Sequence, residues 1–396
     1  MNREELEAYG DLAFQPATVV LDHVPTGFVG RQFQGIPGIA CTKDGTLWVC
    51  WYGGGPGEGP ENFVMVASKA PNDDAWSDPW VFVVASHPQL RVFDPTMWVD
   101  PEGKLWLFWA QTHIKPKNNS VAVFDGLRSN MPDTRFIWDG RGGVWGMCCE
   151  RPEAEPRKWS EPRRFCDGIM MNKPSADEAG HWLMPTSIWD LKPYADSISK
   201  SQRGPGVALC SDGGQRAKIR GTADIPDAIF DEHIVLPLRD GRWAMWVRNA
   251  SAVRRVVVCY SDDQGQTWTR GVYTEIPCPN SRFFIGRLHS GALLLISHRI
   301  TQKMIDSQSL WPVRSHLTAW VSDDDGQTWQ GDLLIDEREH VSYPDVAQAG
   351  DGTIHLVYDH TRNITGDIVL VELTEQQIRE GRPGCKRSLV NQFQKP

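Results

Sequence analysis

Ser261-Asp262-Asp263-Gln264-Gly265-Gln266-Thr267-Trp268 and Ser322-Asp323-Asp324-Asp325-Gly326-Gln327-Thr328-Trp329 are one motif written twice, 61 residues apart. The shared frame is Ser-x-Asp-x-Gly-x-Thr-Trp. Short Asp, Ser and Thr side chains bond nearby backbone N–H groups, and Gly supplies the positive φ of a tight turn. Each string therefore predicts a hairpin turn whose Trp is left to pack between neighbouring units. Eroded versions stand at Ser211-Asp212-Gly213-Gly214 and in the W-S-x-P strings Trp76–Pro79 and Trp159–Pro162.

Outward from these turns a shorter pattern recurs: a turn ending in Gly, then a strand rich in Trp, Leu, Val or Ile. The copies are Asp44–Trp51 (DGTLWVCW), Glu102–Trp109 (EGKLWLFW), Ala179–Met184 (AGHWLM), Asp240–Val247 (DGRWAMWV), Ser290–Ser297 (SGALLLIS) and Asp351–Tyr358 (DGTIHLVY). Their glycines are spaced 58, 77, 61, 50 and 61 residues apart. β-Prone runs joined by Gly turns are hairpins, and six similar units mean a repeat architecture. The predicted fold is all-β, a six-bladed β-propeller of four-stranded antiparallel blades, with a β-sandwich and a seven-bladed relative as the competing forms. Residues 1–396 form one domain, with 1–20 as an N-terminal segment and 376–396 as a C-terminal tail or blade closure. The Ser-x-Asp-x-Gly-x-Thr-Trp turns, known as Asp-boxes, belong to the rim and are structural.

A chain of 396 residues is long for one compact core, and the repeats explain the length without a second domain. Forty-one Lys+Arg against 50 Asp+Glu give a net charge of −9, which disfavours nucleic acid and anionic membrane as partners. Eighteen Trp against seven Tyr suit both blade packing and the stacking of sugar rings on indoles. The nine Cys are odd in number and have no C-x-x-C pair or His-flanked cluster, so buried free thiols and no metal site are expected. Met1–Gln15 is acidic and polar, unlike a signal peptide, and no stretch reaches membrane-spanning length. A cytoplasmic location follows as an expectation. Without a Walker, Rossmann or zinc pattern, no cofactor is implied.

The first strand of each propeller blade lines the central channel. Nine residues before the repeat Gly stand Ile36, Asp94, Met171, Glu232, Arg282 and Tyr343 in blades one to six, with Asn172 and Lys173 beside Met171. Four polar or ionisable groups are thus predicted to converge on the axis. A phenol has a pKa of about 10 and needs a nearby carboxylate to take its proton before it can attack. The planar fork of arginine holds a carboxylate bidentately.

These strings resemble the sialidase (neuraminidase) superfamily, from about Gln34 to Thr374. The resemblance implies a fourth-blade Glu that polarises a sixth-blade Tyr nucleophile, and three Arg that hold the substrate carboxylate. Glu232 in FDEHIV, Arg248 in WAMWVRN, Arg314 in RSHLTAW and Tyr343 in SYPDVAQ match those positions in order. Two departures stand out. Gly35-Ile36-Pro37 replaces the R-I-P string that carries the first arginine, with Arg31 four residues upstream as a substitute. The family's acid is an Asp in the loop after the first hairpin; here Tyr52–Asn62 (YGGGPGEGPEN) offers Glu58 or Glu61 on a lid-like Gly-rich segment, and Asp94 is a third candidate.

Further groups extend the candidate site: Arg91 beside Asp94, Lys173, His233 beside Glu232, Arg282, and His298 with Arg299. Neighbours on a strand point to opposite faces, so Glu232 and His233 share the channel only across a bulge. The expected function is exo-acting hydrolysis of an acidic glycoside, of sialic acid or a uronic acid. A polysaccharide lyase with His233, His298 or Tyr343 as base is the first alternative. A non-catalytic carbohydrate-binding propeller is the second.

Overall fold

The computed structural model describes residues 12, 14–24, 31–59, 61–87, 90–116, 134–136, 142–188 and 203–393. Residues 1–11, which carry most of the acidic N-terminal stretch, lie outside them. Six antiparallel sheets follow one another in chain order, one per repeat, and form a six-bladed propeller. The inner strands are Phe33–Cys41, Leu90–Val99, Ser175–Ala176, Ala228–Pro237, Phe284–Arg287 and Val341–Gln348. Each turns through its repeat glycine into a buried second strand, and all six glycines have φ between 79° and 90°. That left-handed conformation is open to glycine at no steric cost. In the second blade Asp100 fastens this turn, accepting at 2.9 Å from the N–H groups of Glu102 and Lys104 and at 2.8 Å from the Trp106 indole.

The Asp-boxes act further out. Asp263 accepts from Thr267 N at 2.9 Å, Thr267 Oγ1 at 2.7 Å and Ser261 Oγ at 2.8 Å, and Asp324 repeats the set with Thr328 and Ser322. Trp268 then donates to the carbonyl of Gly221 on the blade before it. In the eroded third-blade copy the serine's place is taken by Cys210, whose Sγ accepts from Gly214 N at 3.2 Å while Asp212 holds the turn. Indoles fill the seams between blades: Trp182 lies 5.0 Å from both Trp98 and Trp106, edge to face. All nine cysteines are free thiols, seven of them buried. Among the described residues no helix is long and apolar enough to cross a membrane.

Blade one gains a fifth strand, Thr18–Leu21, paired to Val81–Val84, and blade six is completed by Lys386–Asn391 from the C-terminal segment. Among the described residues no sheet is shared between first and last blades. Side-chain hydrogen bonds close the ring instead: Gln34 Nε2 to Gly366 O at 2.6 Å, Ile36 N to Asp359 at 2.7 Å and Ile39 N to Asp345 at 2.8 Å.

Candidate active site

In four of the six blades the count of nine residues back from the repeat glycine lands on a structural device. In blades one, two, four and six the pairing of inner and second strands slips there, between Gly35 and Gly38, Phe93 and Thr96, Ala228 and His233, and Ser342 and Asp345. Ile36, Asp94 and Tyr343 sit at the slip with φ of 58°, 46° and 56°. Phe230 and Asp231, also left-handed, precede Glu232. Each of Ile36, Asp94 and Tyr343 is followed by a proline, which has no N–H to lose when the ladder is broken. Such bulges re-aim side chains, and these aim at the axis.

There Tyr343 donates its hydroxyl to Glu232 Oε1 at 2.6 Å. Arg248 Nη1 lies 3.0 Å from the same hydroxyl and 2.5 Å from Glu232 Oε2, and its Nε donates to Asn280 at 2.8 Å. All three groups are buried. Burial and the Glu232 charge push the Tyr343 hydroxyl above its ordinary value, against the pull of three arginines. The resting phenol is thus neutral. Burial works against the charge of Arg248, but Glu232 and Tyr343 outweigh it and raise its pKa.

Three more guanidiniums flank the Tyr343 ring, Arg362 at 4.2 Å and Arg282 and Arg314 at 5.1 Å each from its centre. Arg314 Nη2 donates to the Asn280 carbonyl at 3.0 Å, and no carboxylate pairs with it among the described residues. Burial, with Arg248 and Arg362 adding repulsion, lowers its pKa. Asp94 completes the cluster. Burial first, then Glu58 and Glu232, lift its carboxyl to about 7 against the opposing charge of Arg91. The buried Asp94 Oδ1 and the Tyr52 hydroxyl have no hydrogen-bond partner among the described residues.

The remaining predicted residues are set differently. Glu58 lies 3.9 Å from Arg91 Nη2 and 3.7 Å from Arg362 Nη1, between two cations at the edge of the cluster. Its Gly-rich loop is pinned by Asn62, which bonds Gly57 O, Gly59 N and Arg91 Nε. Glu61 is exposed, with its carboxylate turned back against Gly55. Arg31 bonds Gln34, Met65 and Asn391, the last in the outer strand of blade six. Lys173 is taken up by the carbonyls of Ile39 and Val346 and by Asp345, and Arg282 by the carbonyls of Met171, Pro37 and Tyr343. Both tie blades together across the axis, since a buried cation with several acceptors is a cross-link, not a vacant ligand. The His233 ring lies between the carbonyls of Asp231 and Gly206 at 2.6 Å each, and burial lowers its pKa. His298 is buried against Ser315 O and pushed down to about 3 by burial.

A family model described as a BNR repeat-like domain matches residues 45–356. The chain belongs to the BNR repeat-like family. Among solved structures it is similar to the Hadza microbial sialidase Hz136, at TM-score 0.63 and 17% identity over 87% of this chain and 66% of that one. It is also similar to a leech intramolecular trans-sialidase complexed with 2,7-anhydro-Neu5Ac (TM-score 0.61, 13% identity, 97% of this chain and 73% of that one). The intramolecular trans-sialidase from Ruminococcus gnavus gives TM-score 0.59 and 13% identity over 88% of this chain and 95% of that one. At such identities the likeness is one of fold, and it agrees with the sialidase-type six-bladed propeller expected from the sequence. No curated protein matches the chain in sequence.

In this BNR-repeat propeller, sequence reasoning missed Arg362, Asp359, Asn280 and Tyr52. Asp359 is fully buried and accepts from Arg362 Nε at 2.8 Å, Ser342 Oγ at 2.6 Å and Ile36 N at 2.7 Å. These residues lie in second strands and loops, beyond the reach of a count along inner strands. The proline after each bulged residue was a usable signal for the bulges themselves.

Proposed function

We propose that this protein is an exo-acting glycoside hydrolase of acidic sugars that works through a covalent tyrosyl intermediate. The observation that carries the proposal is the 2.6 Å hydrogen bond from the Tyr343 hydroxyl to Glu232, with Arg248 against both. As the phenolic oxygen attacks the anomeric carbon, Glu232 takes its proton and Arg248 stabilises the developing phenolate. The glycosidic bond breaks, and Asp94, whose raised carboxyl still holds a proton in about half of the molecules at neutral pH, gives that proton to the leaving oxygen. In the second half Asp94 takes a proton from water, water displaces the phenolate, and Glu232 returns the first proton to Tyr343. A neutral phenol also accepts an anionic sugar without the repulsion a carboxylate nucleophile would impose.

Charge supports an acidic substrate. Arg248 and Arg362 are balanced by Glu232 and Asp359, while Arg314 has no carboxylate partner among the described residues. The settings of His233 and His298 favour hydrolysis over histidine-based elimination, since both nitrogens of the His233 ring are met by carbonyls and the His298 ring is fully buried. Turnover of nitrophenyl glycosides of sialic and glucuronic acids tests the proposal. Tyr343→Phe is expected to lower kcat by about a thousandfold or more. Full activity in that variant overturns the covalent mechanism, an ultraviolet-absorbing unsaturated product would make the enzyme a lyase, and sugar binding without turnover in the unaltered protein would make it a binding propeller.

A further inference from the structure

We infer that the arginine missing from the first blade is supplied from the sixth, as Arg362, and that the substrate carboxylate lies between Arg362 and Arg314. The inference rests on the acidic-glycoside reading above and names the residues that hold the acid group. A Cβ placed on Gly35 would stand 2.9 Å from Arg362 Cγ, Arg362 Cδ and Asp359 Oδ2. Real Cβ atoms do not approach so closely, so Gly35 leaves open the space through which Arg362 crosses from blade six. Absence of a side chain on blade one and presence of a guanidinium from blade six are two halves of one arrangement.

The Arg362 side chain is held in place. Asp359 takes its Nε at 2.8 Å, Ser342 takes its Nη2 at 3.0 Å, and the group lies 4.2 Å from the Tyr343 ring centre. With that edge engaged, Nη1 is the donor left, and the Glu58 carboxylate lies 3.7 Å from it. Arg314 complements this, since among the described residues only its Nη2 is hydrogen-bonded, to a carbonyl. Arg314 can therefore grip a carboxylate with two donors while Arg362 adds one donor and a second charge. Both arginines line a cleft of about 470 Å³ between blades five and six, together with Ser342, His340, Thr361 and Trp311. The ligand class is a monosaccharide bearing one carboxylate, its acid group turned toward blades five and six. Arg31, bonded to Gln34, Met65 and Asn391, takes no part.

Calorimetric binding of D-glucuronic acid, N-acetylneuraminic acid and neutral glucose to the full chain tests this, alongside KM on the matching nitrophenyl glycosides. Arg362→Lys keeps a cation beside buried Asp359 but loses the fork; Arg362→Gln loses the charge. Both are expected to raise Kd and KM for the preferred acid by about ten- to a hundredfold, the range of one charge-assisted hydrogen bond, with a smaller change in kcat. Gly35→Arg is expected to do the same by displacing Arg362, and Arg31→Ala to leave binding unchanged. Unaltered acid binding in both Arg362 variants overturns the inference, as does loss of binding in Arg31→Ala alone. If the unaltered protein binds the acid without turning it over, the hydrolase reading fails while Kd still decides the role of Arg362. Failure of the unaltered protein to bind either acid overturns both.

Discussion

Asp94 shows how backbone strain and chemistry meet in one residue. A non-glycine residue held at φ 46° costs on the order of 1–3 kcal/mol and persists only where the surroundings fix it, as the neighbouring strands do here. Burial then lifts its carboxyl to about 7. The unfolded pKa is about 4, so the folded state holds the proton more tightly. The sign is therefore that of a raised group: its contribution to stability is full below about 4 and is lost as pH rises through about 7. As the proton donor, Asp94 should give activity that falls as pH climbs past about 7. Asp94→Asn should remove that limb, lower kcat about a hundredfold on substrates with poor leaving groups, and raise Tm at pH 8, where the native aspartate is charged and buried. A pH–rate profile and thermal melts across the same range check this; an unmoved alkaline limb would take the acid role from Asp94. Asp94, Glu232 and Tyr343 were legible because strand register fixes the distance from repeat turn to axis. Arg362 was not, because nothing in linear spacing tells that a loop side chain of blade six fills the space over a glycine of blade one.

At the scale of the element, the hairpin turns were readable and the bulges were not. Ser-x-Asp-x-Gly-x-Thr-Trp names its own hydrogen bonds, and Asp263 and Asp324 make them as the side chains dictate. The third-blade copy was placed one residue late, since a Cys thiol in the serine's position hides the frame. These bonds draw the Asp263 carboxyl down to about 2. A depressed carboxylate stabilises above its unfolded pKa of about 4 and loses that contribution as pH falls toward about 2. Asp263→Ala should cost about 0.5–2 kcal/mol at pH 7, as loss of a comparable capping side chain does, and much less at pH 2. Urea denaturation at the two pH values measures it; an equal loss at both would mean the ionised turn is not what the side chain contributes. The bulges escaped because alternation predicts a regular strand, whereas Ile36-Pro37, Asp94-Pro95 and Tyr343-Pro344 break the ladder at the register that faces the axis.

The whole molecule is acidic, with a net charge of −9, yet its axial face gathers Arg248, Arg282, Arg314 and Arg362 around one tyrosine. Composition predicted the first property and is blind to the second, which arises only when six blades close into a ring. Closure itself was partly legible: the repeats set the blade number, but the chain joins blades one and six through Gln34, Asp345 and Asp359 without sharing a sheet. The bond to Asp359 ends beside the site, so ring closure and the setting of Arg362 depend on the same aspartate. The central claim is that this convergence makes Tyr343 a nucleophile. Intact-protein mass spectrometry after reaction with fluorinated, activated glycosides of sialic and glucuronic acids tests it most directly. The account predicts a mass gain of one acidic sugar residue that maps to Tyr343 and vanishes in Tyr343→Phe; turnover with no adduct on Tyr343, or an adduct on another residue, would contradict it.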